Sequence, residues 1–173
     1  MSVFRLFNSC NSCNSWTKKS LFFIRKNSRL WVDRVTRVID TNIVIDAIAS
    51  RVSFNVAAEE IMLLMSRQQL TAAITASTAS DIYYLSRKHL KSAVVTARHL
   101  QKLFSLIEII AVDKTDCLAA FATGVADYED SLLVVGAAKW NADYIVTRNV
   151  KDFSASLVVA ITPTDFLLKW DGE

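Results

Sequence analysis

The segment Val38-Ile39-Asp40-Thr41-Asn42-Ile43-Val44-Ile45-Asp46 contains the start of the fold and the first candidate functional side chain. The β-branched run 35–39 predicts a short buried strand that ends at Asp40. Residues 43–49 predict a short helix, with Asp40 or Thr41 as its N-cap. A strand that leads almost directly into a helix is typical of α/β proteins.

The alternation of strands and helices continues to the end of the chain. Further strands are predicted at 70–75, 107–112, 144–146 and 157–161, and helices at 54–68, 77–88, 91–106, 114–123, 128–140 and 163–170. The segment 128–140 is apolar on nearly all sides, so we expect this helix to be buried between layers. Strands separated by helices favour a mostly parallel sheet that is covered on both faces. The predicted fold is a single three-layer α/β domain over residues 35–173.

The composition excludes several classes of protein. The chain has 173 residues, of which 52% are hydrophobic and 21% are charged, and this excludes a long disordered protein. Three glycines and one proline exclude collagen-like, linker-rich and turn-dense all-β designs. Three cysteines are too few for a disulfide framework, which favours a reducing, cytoplasmic location. No apolar run approaches the roughly 18 residues of a membrane span, so we expect no membrane partner.

The positive charge is concentrated at the amino terminus. Residues 1–37 contain eight Lys or Arg and one acid, whereas residues 38–173 carry a formal charge of −4. We expect residues 1–34 to form a basic, poorly ordered extension. It could bind nucleic-acid phosphates, target the protein to an organelle, or be a dispensable upstream stretch. Cys10 and Cys13 lack the second pair of ligands that zinc requires, so we interpret them as incidental.

Acids and amides lie where the predicted strands end. They come from four segments of the chain: Asp40; Asp81; Asp127, Glu129 and Asp130; and Asn149 with Asp152. The carboxyl ends of parallel strands meet at one edge of a sheet, so these groups are expected to gather there. Such carboxylates repel one another unless a cation binds, and hard oxygen ligands suit Mg²⁺ or Mn²⁺. The alternative for each acid is a helix cap.

Two of these acids are harder to explain as caps. Thr41 could cap the first helix as well as Asp40, and Asp130 begins an otherwise apolar helix, where an unpaired charge is costly. Arg148 is the cation that could approach Asp130 in space. His89 and His99 lie among polar neighbours in predicted amphipathic helices, which favours solvated positions over a catalytic triad. The glycines do not cluster into a phosphate-binding loop.

Four blocks of sequence resemble the PIN-domain family, the fold of VapC-type toxin ribonucleases, in order and spacing. The blocks are residues 38–46, Ser80-Asp81-Ile82-Tyr83-Tyr84, Asp127-Tyr128-Glu129-Asp130-Ser131 and residues 143–153. The resemblance covers about residues 35–170. It implies Mg²⁺- or Mn²⁺-dependent hydrolysis of RNA, with a small antitoxin partner and a homodimer.

The resemblance also assigns residues to roles. It matches the family's first three acids to Asp40, Asp81 and Asp130, as catalytic and metal-binding groups. Many members have Glu at the second position and an acid at the fourth, where this chain has Asn149. A second metal ion would therefore need compensation from other acids. The supporting candidates are Thr41, Asn42, Asp127, Thr147, Arg148, Asn149 and Asp152.

Two other functions remain open on the sequence. Asn149 favours a PIN-fold module that has lost catalysis and that binds RNA or assists assembly. A third interpretation is a doubly wound small-ligand or phospho-acceptor domain in which Asp40 is phosphorylated. Because the body of the chain is acidic, a specific folded or single-stranded RNA is a better fit than duplex RNA.

Overall fold

The computed structural model describes residues 36–49 and 55–170. The basic segment 1–34, with Cys10 and Cys13, lies outside the described residues. The strands are β1 (Arg37–Ile39), β2 (Ala72–Thr75), β3 (Glu108–Ile110), β4 (Tyr144–Val146) and β5 (Val159–Ile161). The helices are α1 (Thr41–Ala49), α2 (Asn55–Ser66), α3 (Ala76–Leu90), α4 (Ala93–Phe104), α5 (Lys114–Ala119), α6 (Tyr128–Lys139) and α7 (Pro163–Lys169). Short 3-10 helices lie at Ala120–Ala122, after α5, and at Val150–Phe153, after β4.

The strands form one sheet in the order β3-β2-β1-β4-β5, and every pairing is parallel. This confirms the predicted parallel α/β fold. The chain builds outward from β1 to β3 and then crosses back to place β4 on the other side of β1. The carboxyl ends of β1 and β4 therefore flank the point where the strand order reverses, which is where open α/β sheets form crevices.

Successive residues of each inner strand contribute to two different cores. Ile39 and Val146 belong to a large cluster with residues of α1–α4 and α7, whereas Val38 and Ile145 pack with α6. Side chains of a strand alternate between the two faces, so each short strand is buried on both sides. This confirms the three layers. No helix among the described residues is long and apolar enough to cross a membrane.

Several helix boundaries in the structure differ from the predicted ones. The helix predicted at 114–123 ends at Ala119 and continues as a 3-10 turn toward Gly124, which has a left-handed φ of +79°. The helix predicted from 91 begins at Ala93, because the Ser92 hydroxyl accepts the Val95 N–H. Helix α1 begins at Thr41, two residues earlier than predicted.

The middle of helix α6 is buried as predicted, whereas residues 128, 129, 138 and 139 at its ends are exposed. A glycine lets this helix approach the sheet. A Cβ on Gly136 would lie 2.6 Å from Cγ2 of Thr75, at the end of β2. Thr75 is itself fully buried, and its Oγ1 accepts the Thr78 N–H at the start of α3. The close approach therefore fixes α6, and the acids at its first turn, against β2 and α3.

We expect Gly136→Ala to lower the free energy of unfolding by about 1 kcal/mol, because overpacking outweighs the gain in helix propensity. Denaturant unfolding checks this. In the background of Thr75→Ser, which keeps the capping hydroxyl and removes Cγ2, Gly136→Ala should cost nothing. If Gly136→Ala stabilises the otherwise unchanged protein, the proposed close approach is wrong.

Candidate functional site

Asp40 lies at the carboxyl end of β1, where two other residues donate hydrogen bonds to its carboxyl group. Its Oδ2 accepts a hydrogen bond of 2.7 Å from Thr147 Oγ1 and another from Asn42 Nδ2. The residue is only 8% exposed. Burial raises the pKa of Asp40, and hydrogen bonds from Thr147 and from the backbone of Asn42 and Thr41 oppose that rise. Asp40 is thus a fixed, largely desolvated carboxyl group.

The segment after β1 and the segment after β4 are interlocked around Asp40. Asn42 Nδ2 also donates to Thr147 Oγ1 at 3.2 Å, and Asn42 Oδ1 accepts the Arg148 N–H at 3.4 Å. Thr147 Oγ1 in turn accepts the Asn149 N–H at 3.0 Å. Three of the predicted supporting residues, Asn42, Thr147 and Asn149, therefore shape the backbone beside Asp40. The exposed Asn149 joins this network through its backbone.

Asp127 is the N-cap of α6. Its Oδ1 accepts the N–H groups of Glu129 at 2.8 Å and of Asp130 at 3.1 Å. The capping interpretation, which the sequence left open for every acid, therefore describes Asp127. Because Asp127 takes this role, the side chains of Glu129 and Asp130 are available on the first turn of α6.

Asp130 lies among other negative charges. Partial burial, followed by the charges of Asp40, Asp127 and Asp152, raises the pKa of Asp130 to about 6. Asp152 comes from the 3-10 helix after β4, so the structure joins the first, third and fourth sequence blocks here. The carboxyl group of Asp130 is half-buried.

Glu129 interacts both with Asp81 and with other acids at this edge of the sheet. Partial burial, a hydrogen bond with Asp81 and the charges of Asp81, Asp127 and Asp40 raise the pKa of Glu129 to about 7. Asp81 lies on α3, so the second block also reaches this edge of the sheet. The sequence predicts Glu129 among the acids at this edge, but the family resemblance assigns it no role, although it lies in the third block.

We call these interacting carboxyl groups the acid cluster: Asp40, Asp81, Asp127, Glu129, Asp130 and Asp152. As they stand, no three Asp, Glu, His or Cys side chains among the described residues are arranged around one ion. The chemistry of the donor set nevertheless fits a divalent cation, since the donors are hard carboxylate oxygens. Burial and the charges of neighbouring acids raise the pKa values of Glu129 and Asp130 in particular. His89 is exposed, whereas burial lowers the pKa of the half-buried His99, so only His89 is in the solvated position predicted.

Arg148 does not pair with Asp130. Its Nη1 donates to Asp46 Oδ1 at 3.1 Å, and the Asp46 side chain is 1% exposed. The Arg148 side chain is 24% exposed, so most of this cation is covered by the protein. The sequence reasoning missed Asp46. The signal was a lone acid within the apolar segment of α1.

Comparison with known proteins agrees with this architecture. The sequence model of the PIN domain matches residues 36–151. The chain is similar to VapBC2 from Rickettsia felis bound to a promoter DNA fragment, with 20% identity over 74% of this chain and 98% of that chain and a TM-score of 0.57. It is also similar to VapBC-1 from nontypeable Haemophilus influenzae, with 17% identity, coverage of 75% and 99% and a TM-score of 0.56. A toxin–antitoxin complex from Klebsiella pneumoniae gives 20% identity, coverage of 73% and 97% and a TM-score of 0.54. No curated protein matches the chain significantly.

Removal of the Asp130 charge should stabilise the metal-free protein near neutral pH. Because folding raises the pKa of Asp130 from 3.8 to about 6, its contribution to stability is fully present below pH 3.8 and is lost as the pH rises through 6. We expect Asp130→Asn to raise the free energy of unfolding by about 1 kcal/mol at pH 8, after allowance for solvent screening, and to change it little at pH 4.

Urea unfolding in the presence of chelator, at both pH values, measures this effect. The matched control is Glu108→Gln, at an exposed position in β3, which should show no such difference between the two pH values. A loss of stability in Asp130→Asn at pH 8 would mean that the charge is structurally required.

Proposed function

The chain belongs to the PIN domain family, and we propose that it is a divalent-metal-dependent ribonuclease that hydrolyses phosphodiester bonds in RNA. The observation that carries the proposal is the acid cluster, in which four distant segments bring carboxyl groups to one edge of the sheet. Assembly of these charges costs stability in the absence of a cation, and it therefore calls for a functional reason.

We assign Asp40, Asp81 and Asp130 as the residues that hold Mg²⁺ or Mn²⁺. When bound, the cation supplies an activated water and stabilises the charge that develops on the phosphate. Asp40 contributes a carboxylate whose orientation is fixed by Asn42 and Thr147. Such hydrogen bonds to a ligand restrict its rotation and preorganise the site.

Glu129 supports the site by holding a proton. With a pKa of about 7 and a hydrogen bond to Asp81, its carboxyl group is partly protonated at neutral pH. The proton reduces the repulsion within the cluster in the metal-free protein. Added positive charge beside Asp81 favours the ionised form, so Glu129 releases this proton as the cluster is neutralised.

The negative charge of residues 38–173 bears on the class of RNA that the protein would bind. Residues 38–173 carry a formal charge of −4, so the domain offers little general attraction for duplex phosphates. We propose that the substrate is a specific single-stranded or folded RNA. The similar solved structures are toxin–antitoxin complexes, and on this basis we also propose a small antitoxin as partner and a homodimer as the assembly. Co-purification with the product of a short neighbouring reading frame tests the partner.

Incubation of RNA with the protein and Mn²⁺ should give cleavage that excess chelator abolishes. Asp130→Asn should reduce the cleavage rate by at least about two orders of magnitude, because a ligand charge is lost. Glu108→Gln, purified in parallel, should cleave at the wild-type rate, which controls for contaminating nucleases. Cleavage that survives both chelator and Asp130→Asn would contradict the proposal.

A second candidate function is an RNA-binding or assembly module without catalysis, which Asn149 favours. Asn149 supplies an oxygen but no charge where many family members have an acid, so a second cation would be poorly compensated. Binding of RNA without cleavage in the same assay would support this alternative. Inertness toward RNA would leave the interpretation of Asp40 as a phospho-acceptor.

The substitution Asn149→Asp tests whether the site holds one metal ion or two. We expect Asn149→Asp to tighten Mn²⁺ binding and to lower the Mn²⁺ concentration for half-maximal cleavage, because the site gains a charge. Calorimetric titration measures both proteins. Asn141→Asp adds the same charge before β4, at the opposite edge of the sheet, and should leave the affinity unchanged. Two equally tight ions in the wild type would place Asn149 outside the metal site.

A further inference from the structure

A fully buried carboxylate in α1 accounts for the position of Arg148. Asp46 is 0% exposed, and its Oδ1 accepts a hydrogen bond of 3.1 Å from Arg148 Nη1. The two residues are 102 positions apart in sequence. A buried carboxylate is unfavourable unless a cation and hydrogen bonds compensate it, so Asp46 holds the guanidinium strongly.

The same arginine lies beside the acid cluster. The Arg148 N–H donates to Asn42 Oδ1, and Asn42 Nδ2 donates to Asp40 Oδ2, so one side chain separates the Arg148 backbone from Asp40. The positive charge of Arg148 favours ionisation of Asp40. Arg148 also lines a cavity of about 680 Å³ between α2 and α7. Its guanidinium contacts Asp46 through Nη1.

A free arginine so close to the cluster would compete with a metal ion. Guanidinium is always charged and forms bidentate hydrogen bonds with carboxylates. The acid cluster offers several carboxyl groups whose repulsion such a cation would relieve. An arginine seated there would offset part of the negative charge of the cluster, and a divalent cation would have to displace it.

We propose that Asp46 is a positioning residue that holds Arg148 out of the acid cluster and thereby keeps the cluster open to a divalent cation. The inference rests on the proposed metal-binding role of the cluster. Asp46 acts through Arg148 and not as a ligand. The Asp46–Arg148 pair thus prevents Arg148 from occupying the position of the metal ion.

The position of Arg148 can be tested in the metal-free protein. The ¹⁵Nε–Hε resonance of Arg148, assigned by its loss in Arg148→Gln, reports the surroundings of the guanidinium. We expect Asp130→Asn to shift this resonance in the Asp46→Asn background and to leave it unchanged when Asp46 is present. Asp113→Asn removes an acid that pairs with Lys139 outside the cluster and should shift it in neither background. No response to Asp130→Asn in the Asp46→Asn background overturns the proposal.

Calorimetric titration with Mn²⁺ tests the consequence for metal binding. We expect Asp46→Asn to weaken Mn²⁺ binding about tenfold or more, the range seen when groups behind metal ligands are changed. The double variant Asp46→Asn/Arg148→Gln lacks the competing cation and both charges of the buried pair, and it should bind Mn²⁺ about as tightly as the wild type. Circular dichroism confirms that each variant is folded.

The outcomes separate this inference from the proposed function. If the double variant binds as weakly as Asp46→Asn, Arg148 is not the competitor and the inference is wrong. If the wild type binds no Mn²⁺, the proposed metal dependence fails, whereas the response of the Arg148 resonance still decides whether Asp46 restrains the arginine.

Discussion

The hydrogen bonds that meet on Oδ2 of Asp40 join the two halves of the sheet at the point where the site lies. Asp40 follows β1, Thr147 follows β4, and the parallel register places Ile39 opposite Val146. Because the two strands end at the same level, Thr147 Oγ1 reaches Asp40 at 2.7 Å. A slip of one residue in this register would turn every side chain of the strand to the other face and would separate the pair. The positions of Asn42 and of the Arg148 backbone depend on the same alignment.

Folding brings the carboxyl groups of the acid cluster together although they repel one another. The first turn of α6 favours negative charge through the helix dipole and through the cap formed by Asp127. Burial and mutual repulsion are nevertheless the larger effects, since the pKa values of Glu129 and Asp130 rise to about 7 and about 6. The two hydrophobic cores on opposite faces of the sheet hold these groups in place. An electrostatic cost of this kind, supported by a stable scaffold, is typical of functional sites.

The positive charge near the site is as strongly constrained as the negative charges. Arg148 follows Thr147 directly, so the same turn that supplies a hydrogen bond to Asp40 also supplies a cation. The pairing of Arg148 with the buried Asp46 fixes the direction of that cation. The position of Arg148 therefore depends on Asp46 of α1, and the same helix begins beside Asp40.

The sequence by itself determined the class of fold and predicted which acids would gather at one edge of the sheet. Alternating strands and helices require a covered parallel sheet, and the carboxyl ends of its strands share one edge, so Asp40, Asp81 and Asp130 could be expected near one another. Only the tertiary structure decided which acid caps α6, that Glu129 meets Asp81, and that Arg148 pairs with Asp46. These outcomes depend on the rotation and close approach of packed helices, such as α6 on Thr75 through Gly136. Local periodicity gives the buried face of a helix, whereas the direction of a charged side chain is settled by partners a hundred residues away.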